Sequence, residues 1–282
     1  MSVTDSQSPR FDIGRVMSRT SSLIGRNFVP FAILSLVFAG VPYLLLLLAM
    51  PASVAAGSDL SAAPVIMLVV LLVYLLASLV LQAALTRASV DDLSGKPVAI
   101  GAAVSTGVAV LLPLIGLGLV VGGVVMIGAL VFGVLIAIVG MGGMGWMVFV
   151  LSIGLIVAAV YIFLRWLVAG PIIVVERLGV FASLGRSTAL TQNHRWAILG
   201  LLVLYAIVII VLQLVVGLIV PGAGAALAGT SATTPPLIAL IVLILMQVFV
   251  SMLITVGIAS VYFELRQLKD GVGVHELAQV FA

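Results

Sequence analysis

Within ten residues of one another stand Arg186, His194 and Arg195, with Ser187, Thr188 and Thr191 between them. Cationic nitrogens flanked by hydroxyls suit the capture of an anionic lipid headgroup at a membrane surface. Local hydroxyl-to-backbone bonding accounts for the Ser and Thr residues equally well. Arg15, Arg19 and Arg26 form a second set, at helical spacing on one side of the N-terminal segment. Ile13, Val16, Met17, Thr20, Leu23, Ile24 and Phe28 recur on the other side. Such a helix either lies among headgroups or docks on the protein's own inner surface.

Catalysis would need a different constellation. The chain shows no Ser/His/Asp order, no two-carboxylate pair, no P-loop and no metal-ligand spacing. It has no cysteine, which removes disulfides, thiolate chemistry and Cys-based metal sites. No metal or cofactor is expected. Charges near a membrane midplane usually mark ion or proton coupling. Here Arg165 and Glu264 fall only at the inner ends of apolar segments, which argues against a coupled transporter. The polar residues inside those segments are Ser78, Gln82, Ser152, Gln213, Gln247, Ser251 and Thr255. Gln213 and Gln247 lie roughly 25 Å from the inner boundary at about 1.5 Å per residue. They are expected to hydrogen-bond to one another across two crossings as structural glue. Glu176 is expected to pair with an Arg of another inner segment.

The elements that position these residues are membrane helices. The chain is 64% hydrophobic and 7% charged, whereas soluble domains carry about 25% charged residues. Val98 to Leu164 contains no charge over 67 residues, and one crossing needs about 20. Crossings are expected near 29–50, 64–86, 114–139, 146–166, 196–220 and 237–263. Residues 1–10 read as a disordered terminus, with Ser8-Pro9 as a helix start, and 11–282 as a single six-helix domain. All twelve Lys and Arg fall in four clusters, at 10–26, 87–96, 165–195 and 266–269. Two crossings between successive clusters put every one on the same side, which places both termini on the inner side of the membrane. The basic residues are then topology anchors, and nucleic acid is not an expected partner. The fold class is all-α integral membrane: six transmembrane helices as three hairpins, with interfacial amphipathic segments.

Prolines and glycines refine the picture. Pro42 is expected to kink the first crossing, and Pro51 and Pro221 to end the first and fifth. Asp92 and Lys96 stand at helical i, i+4 spacing in the inner loop 87–97. Gly118-x-x-x-Gly122 would let another helix approach. Gly271 and Gly273 read as helix stops, after which Leu277, Val280 and Phe281 offer a small apolar face. Trp166, Trp196 and Tyr262 fall at the inner boundary as an aromatic belt. The chain also reads as three units of about 80–90 residues. Each has a short inner segment (11–28, 98–112, 178–195) before two crossings; 98–112 is either interfacial or partly inserted.

Pro171-x-x-x-x-Glu176-Arg177-x-Gly179, Ser183-Leu-x-Arg186-Ser187-x-x-Leu190-Thr191, His194-Arg-Trp196 and Tyr262-Phe-Glu264-Leu-Arg266 form a recognisable set. It resembles the membrane-domain family named after glycerophosphoryl diester phosphodiesterase. The resemblance implies a link to lipid and a bacterial, envelope-associated setting. In that family a soluble phosphodiesterase barrel can accompany the membrane domain, and this chain leaves no room for one. The diesterase uses His-Arg-Gly with metal-binding acids, but His194-Arg195 is followed by Trp196 with no carboxylate cluster nearby. No catalytic role is carried over. Pro171, Glu176, Ser187, Trp196, Gln213, Gln247 and Glu264 are expected to be structural. Arg15, Arg19, Arg26, Arg186, His194 and Arg195 are the candidate surface for anionic lipid or a membrane or cytoplasmic protein partner. The expected function is a non-enzymatic scaffold or partner/lipid-binding module in envelope or membrane organisation. The alternative is a transporter or lipid-handling permease component, which a polar cleft reaching the midplane would favour.

Overall fold

Asp12 opens the first helix. Its side chain accepts the Arg15 backbone N–H at 3.2 Å, which caps α1 (Ile13–Arg26). The Ser8-Pro9 start and the terminus 1–10 lie outside the described residues. The computed structural model describes residues 11–55, 63–141, 145–228 and 237–270. The apolar stripe of α1 buries Val16, Thr20 and Leu23. They pack against the protein itself, so α1 is the docked helix of the two alternatives.

The first crossing is built in three pieces: α2 (Phe28–Ser35), a π-helical turn (Leu36–Gly40) and α3 (Val41–Ala55). The expected kink at Pro42 takes the form of this wide turn. Proline lacks an N–H and its ring crowds the carbonyl four residues back, and a π-turn immediately before it relieves both. The second crossing is α4 (Ala63–Leu93), the third α6 (Leu111–Met141) and the fourth α7 (Gly145–Trp166) with its continuation α8 (Ala169–Glu176). The fifth is α10 (Arg195–Ala228) and the sixth α11 (Leu237–Asp270). Six helical spans are thus long and apolar enough to cross a membrane. α3 packs on α4, α6 on α7 and α10 on α11.

Each short inner segment is a helix: α1, α5 (Ile100–Ala109) and α9 (Val180–Thr191). Segment 98–112 therefore holds a helix of its own, α5, ahead of the third crossing. It lies against α4, where Gly107 meets the backbone. A Cβ on Gly107 would stand 2.9 Å from the Val80 carbonyl oxygen. Gly107→Ala is therefore expected to destabilise the fold by about 1–3 kcal/mol through overpacking against rigid backbone. A Gly101→Ala control, with open space around its Cβ, should melt like the parent.

Several expected boundaries move. Helix continues past Pro51 to Ala55 and past Pro221 to Ala228. A proline constrains the turn before it, and the Ala-rich sequence after it remains helical. Inner loop 87–97 is helical to Leu93, where Arg87 pairs with Asp91 at 2.9 Å, in place of the expected Asp92–Lys96 pair. Gly118 and Gly122 have no atom within 4 Å of an added Cβ, so this spacing holds no helix contact within the chain. The stops at Gly271 and Gly273 and the face of Leu277, Val280 and Phe281 lie outside the described residues.

The buried side chains gather toward one end. Val80 to Val90, Leu164 to Val174, Leu184 to Leu201 and Met252 to Leu265 supply most of them. The outer stretches of α6 and α7 are apolar and exposed, as lipid contact allows.

Candidate functional site

At the packed end the arginine stripe of α1 faces carboxylates. Arg19 donates to Glu264 at 2.6 Å and to Gln267 at 3.0 Å. Arg15 reaches the other Glu264 oxygen at 3.4 Å, and Arg26 pairs with Asp92 at 2.6 Å. Glu264 is only 1% exposed. These arginines therefore tie α1 to α11 and α4, while Arg15 and Arg26 keep 49% and 60% of their side-chain surface exposed. The same pairs join the first basic cluster to the second and fourth.

The third cluster follows the same logic. Glu176 ends α8, and Arg186 of α9 approaches it at 3.4 Å, so its partner comes from its own inner segment and not, as expected, from another. Tyr262 also donates to Glu176 at 2.8 Å. Arg186 bonds both oxygens of Asp270, at 2.8 and 2.7 Å. That bonding raises the Arg186 pKa above its ordinary value. Arg195 donates to the Tyr161 hydroxyl at 2.7 Å and lies over its ring. Ser187 is fully buried and donates to the Arg165 carbonyl at 2.9 Å, holding α9 to the end of α7. Pro171 sits in the first turn of α8, where a missing N–H costs nothing. Trp196 is 86% exposed at the start of α10, free to face the bilayer boundary.

His194 lies beside the Phe11 ring. Burial, and then Lys269, lower its pKa below the ordinary 6.5. Near neutral pH it is mostly uncharged, a poor contact for an anion. A histidine with a depressed folded-state pKa contributes stability that is full above the unfolded value. That contribution is lost as pH falls through 6.5 toward the folded value. His194→Gln should therefore flatten the loss of melting temperature over that window; an unchanged pH profile would show that another group controls it.

Deeper in the bundle, two polar stripes meet. Tyr74, Ser78 and Gln82 recur every fourth residue on α4, and Gln247, Ser251 and Thr255 do so on α11. All six line one cavity of about 260 Å³, together with Ala39 of the π-helical turn. Gln247 donates to the Tyr74 hydroxyl at 3.2 Å. The expected Gln213–Gln247 bond is not among the hydrogen bonds. Gln213 instead shares with Gln247 and Tyr43 the wall of a neighbouring cavity of about 340 Å³. Sequence reading noted most of these residues singly but missed Tyr74. The four-residue spacing was the signal that could have found it.

Gln82 also lines a third space, a cleft of about 510 Å³ between α4, α6, α7 and α8. Small residues open it, including Gly118, Gly128, Ala158, Ala159 and Gly170. Its rim reaches the bundle surface, where Val125 and Phe163 are 59% and 56% exposed. The cleft walls are apolar apart from Gln82. From the crossing boundary expected at Thr86, Gln82 lies roughly 6 Å and Tyr74 roughly 18 Å along α4, which itself runs on to Leu93. The polar cavity thus extends about 12 Å along α4, from Gln82 to Tyr74.

The family model described as the membrane domain of glycerophosphoryl diester phosphodiesterase matches residues 108–272, more than half of the chain. The chain belongs to this family. No curated protein and no solved structure matches it. The glycerophosphoryl diester phosphodiesterase membrane-domain match takes in α6 to α11, and so both stretches on which the resemblance rested. It describes the membrane part of such proteins, not their catalytic part. Within it fall Gln247, Ser251 and Thr255. Their partners on α4 lie before the matched residues.

Proposed function

We propose that this chain is a non-enzymatic, lipid-handling component of a bacterial plasma membrane, with both termini cytoplasmic. One observation carries the reading: Gln82 is shared between an apolar cleft open to the bundle surface and a polar cavity between α4 and α11. A space with an apolar part and a polar part fits an amphiphile. A closed apolar bundle would instead have favoured a pure scaffold. The ion pairs point the same way, because Arg19, Arg26 and Arg186 each already hold a carboxylate of the chain.

Filling the cleft tests this. Ala159 lines it, and Ala159→Phe should cut the lipid retained after purification by about tenfold, equivalent to about 1.4 kcal/mol of binding. Native mass spectrometry reads the retained lipid, and a melting curve checks the fold. Undiminished lipid retention in a folded Ala159→Phe protein would sink the proposal. A scaffold role rests on one other observation, the exposed apolar faces of α6 and α7, where Trp146 and Phe149 are 69% and 67% exposed. Crosslinked protein partners, with lipid retention unaffected by Ala159→Phe, would favour it.

A further inference from the structure

The cavity between α4 and α11 has a particular hydrogen-bonding character. Ser78 donates its hydroxyl proton to the Leu75 carbonyl at 2.7 Å, and Ser251 donates to Val248 at 2.9 Å. Both hydroxyls are thereby left with lone pairs and no proton to give. Gln247 spends an N–H on Tyr74, and its amide oxygen remains an acceptor. The Gln82 amide supplies another acceptor oxygen. The two Gln82 N–H groups, the second Gln247 N–H and the Tyr74 and Thr255 hydroxyls can still donate, so the cavity offers acceptors and donors together, and a matching ligand carries groups that do both, as hydroxyls do.

Charge narrows the class further. None of the residues lining this cavity is Lys, Arg, His, Asp or Glu. A phosphate placed there would be an unpaired anion in a medium of low dielectric, which is strongly unfavourable. A quaternary ammonium would meet no carboxylate and a single aromatic ring, Tyr74, where such cations are held by several. An uncharged head carrying free hydroxyls meets neither obstacle. The π-helical turn supplies an independent pointer. Ala39 within it lines the same cavity, and π-turns inside helices are frequent at functional sites.

We infer that this cavity receives an uncharged, hydroxyl-bearing lipid head, as in a diacylglycerol, with an acyl chain lying in the cleft beyond Gln82. The inference rests on the lipid-handling reading and specifies its ligand class. Gly170 supports the geometry: a Cβ there would reach ordinary contact with the Gln82 amide, 3.6 Å from its nitrogen. Glycine leaves Gln82 room to turn between the two spaces.

The test uses the full chain in nanodiscs and three photoreactive lipids with the same diazirine-bearing acyl chains: a diacylglycerol, a phosphatidylglycerol and a phosphatidylcholine. Peptide mapping reads labelling of the cleft residues Leu117 and Val121. Diacylglycerol is expected to label them about tenfold more than either phospholipid, the discrimination of one or two hydrogen bonds plus a desolvated phosphate. Gln82→Leu should abolish that preference. The milder pair Ser78→Ala with Ser251→Ala should reduce it severalfold while melting like the parent. Equal cleft labelling by all three lipids would overturn the head-group assignment and leave lipid handling standing. Preference for phosphatidylglycerol would also overturn it. Labelling of the cleft by none of them would overturn both.

Discussion

Arg19→Met is expected to lower the unfolding free energy by about 3 kcal/mol, near the lower end of the cost of stripping a buried charge of its partner. The reason is an asymmetry of burial. Glu264 is 1% exposed and Arg19 is 23% exposed. Removing the arginine leaves a carboxylate that water cannot reach. Arg15, at 3.4 Å from the other oxygen, holds the loss to the low end. Glu264→Gln removes the charge that is hard to bury and keeps an acceptor for Arg19, so its cost should be near 1 kcal/mol. Arg19→Met combined with Glu264→Met should recover part of the loss, because an apolar pair of similar size needs no compensation. Denaturant unfolding in mixed micelles orders the three. If Glu264→Gln proves worse than Arg19→Met, the burial asymmetry does not govern this contact.

That contact also shows what could be read from the sequence and what could not. The arginine stripe at 15, 19 and 26 is legible, because helical periodicity is local. Its acceptor is not: Arg19 and Glu264 are 245 residues apart, and nothing local tells a lipid-facing arginine from a paired one. The six crossings are legible because each is a long run of uniformly apolar residues. Their ends are harder. Pro51 and Pro221 look like stops, yet the small residues after them stay helical. The polar stretch after Thr86 looks like a loop, yet an Arg87–Asp91 pair carries α4 on to Leu93. In the candidate site, Ser78, Gln82, Gln247, Ser251 and Thr255 stand out singly against apolar sequence. Only the packing of α4 on α11 turns two separate stripes into one cavity. Gln247 was assigned the wrong neighbour because depth along a helix gives no information about rotation around it. Gln213 and Gln247 do share a depth and a cavity, but the Gln247 amide turns to Tyr74.

The orientation of the bundle yields the second large expected effect. A cysteine replacing Ser94, an exposed residue just past α4, should be modified by an impermeant maleimide only after cells are opened. Ser58→Cys and Thr230→Cys, which follow the first and fifth crossings and lie outside the described residues, should react in intact cells. The chain has no native cysteine, so each signal has one source, and labelling of Ser94→Cys from outside would reverse the assigned topology. The physical cause can be separated as well. In the folded protein Asp12, Asp91, Asp92, Glu176, Glu264 and Asp270 all bond to arginines. The packed end is therefore much less positive than twelve basic residues suggest. Orientation is nevertheless set by Lys and Arg near the membrane ends, to which acidic residues contribute little, and each cation forced into a bilayer centre costs about 2.5–3.5 kcal/mol. Replacing Arg15, Arg19 and Arg26 together with Gln should therefore give a mixed population in which some Ser94→Cys reacts from outside. Asp92→Asn breaks the folded Arg26 pair but leaves the cation in place, and should keep Ser94→Cys fully protected. Equal loss of protection in both variants would place the origin of the topology in the folded ion pairs rather than in insertion.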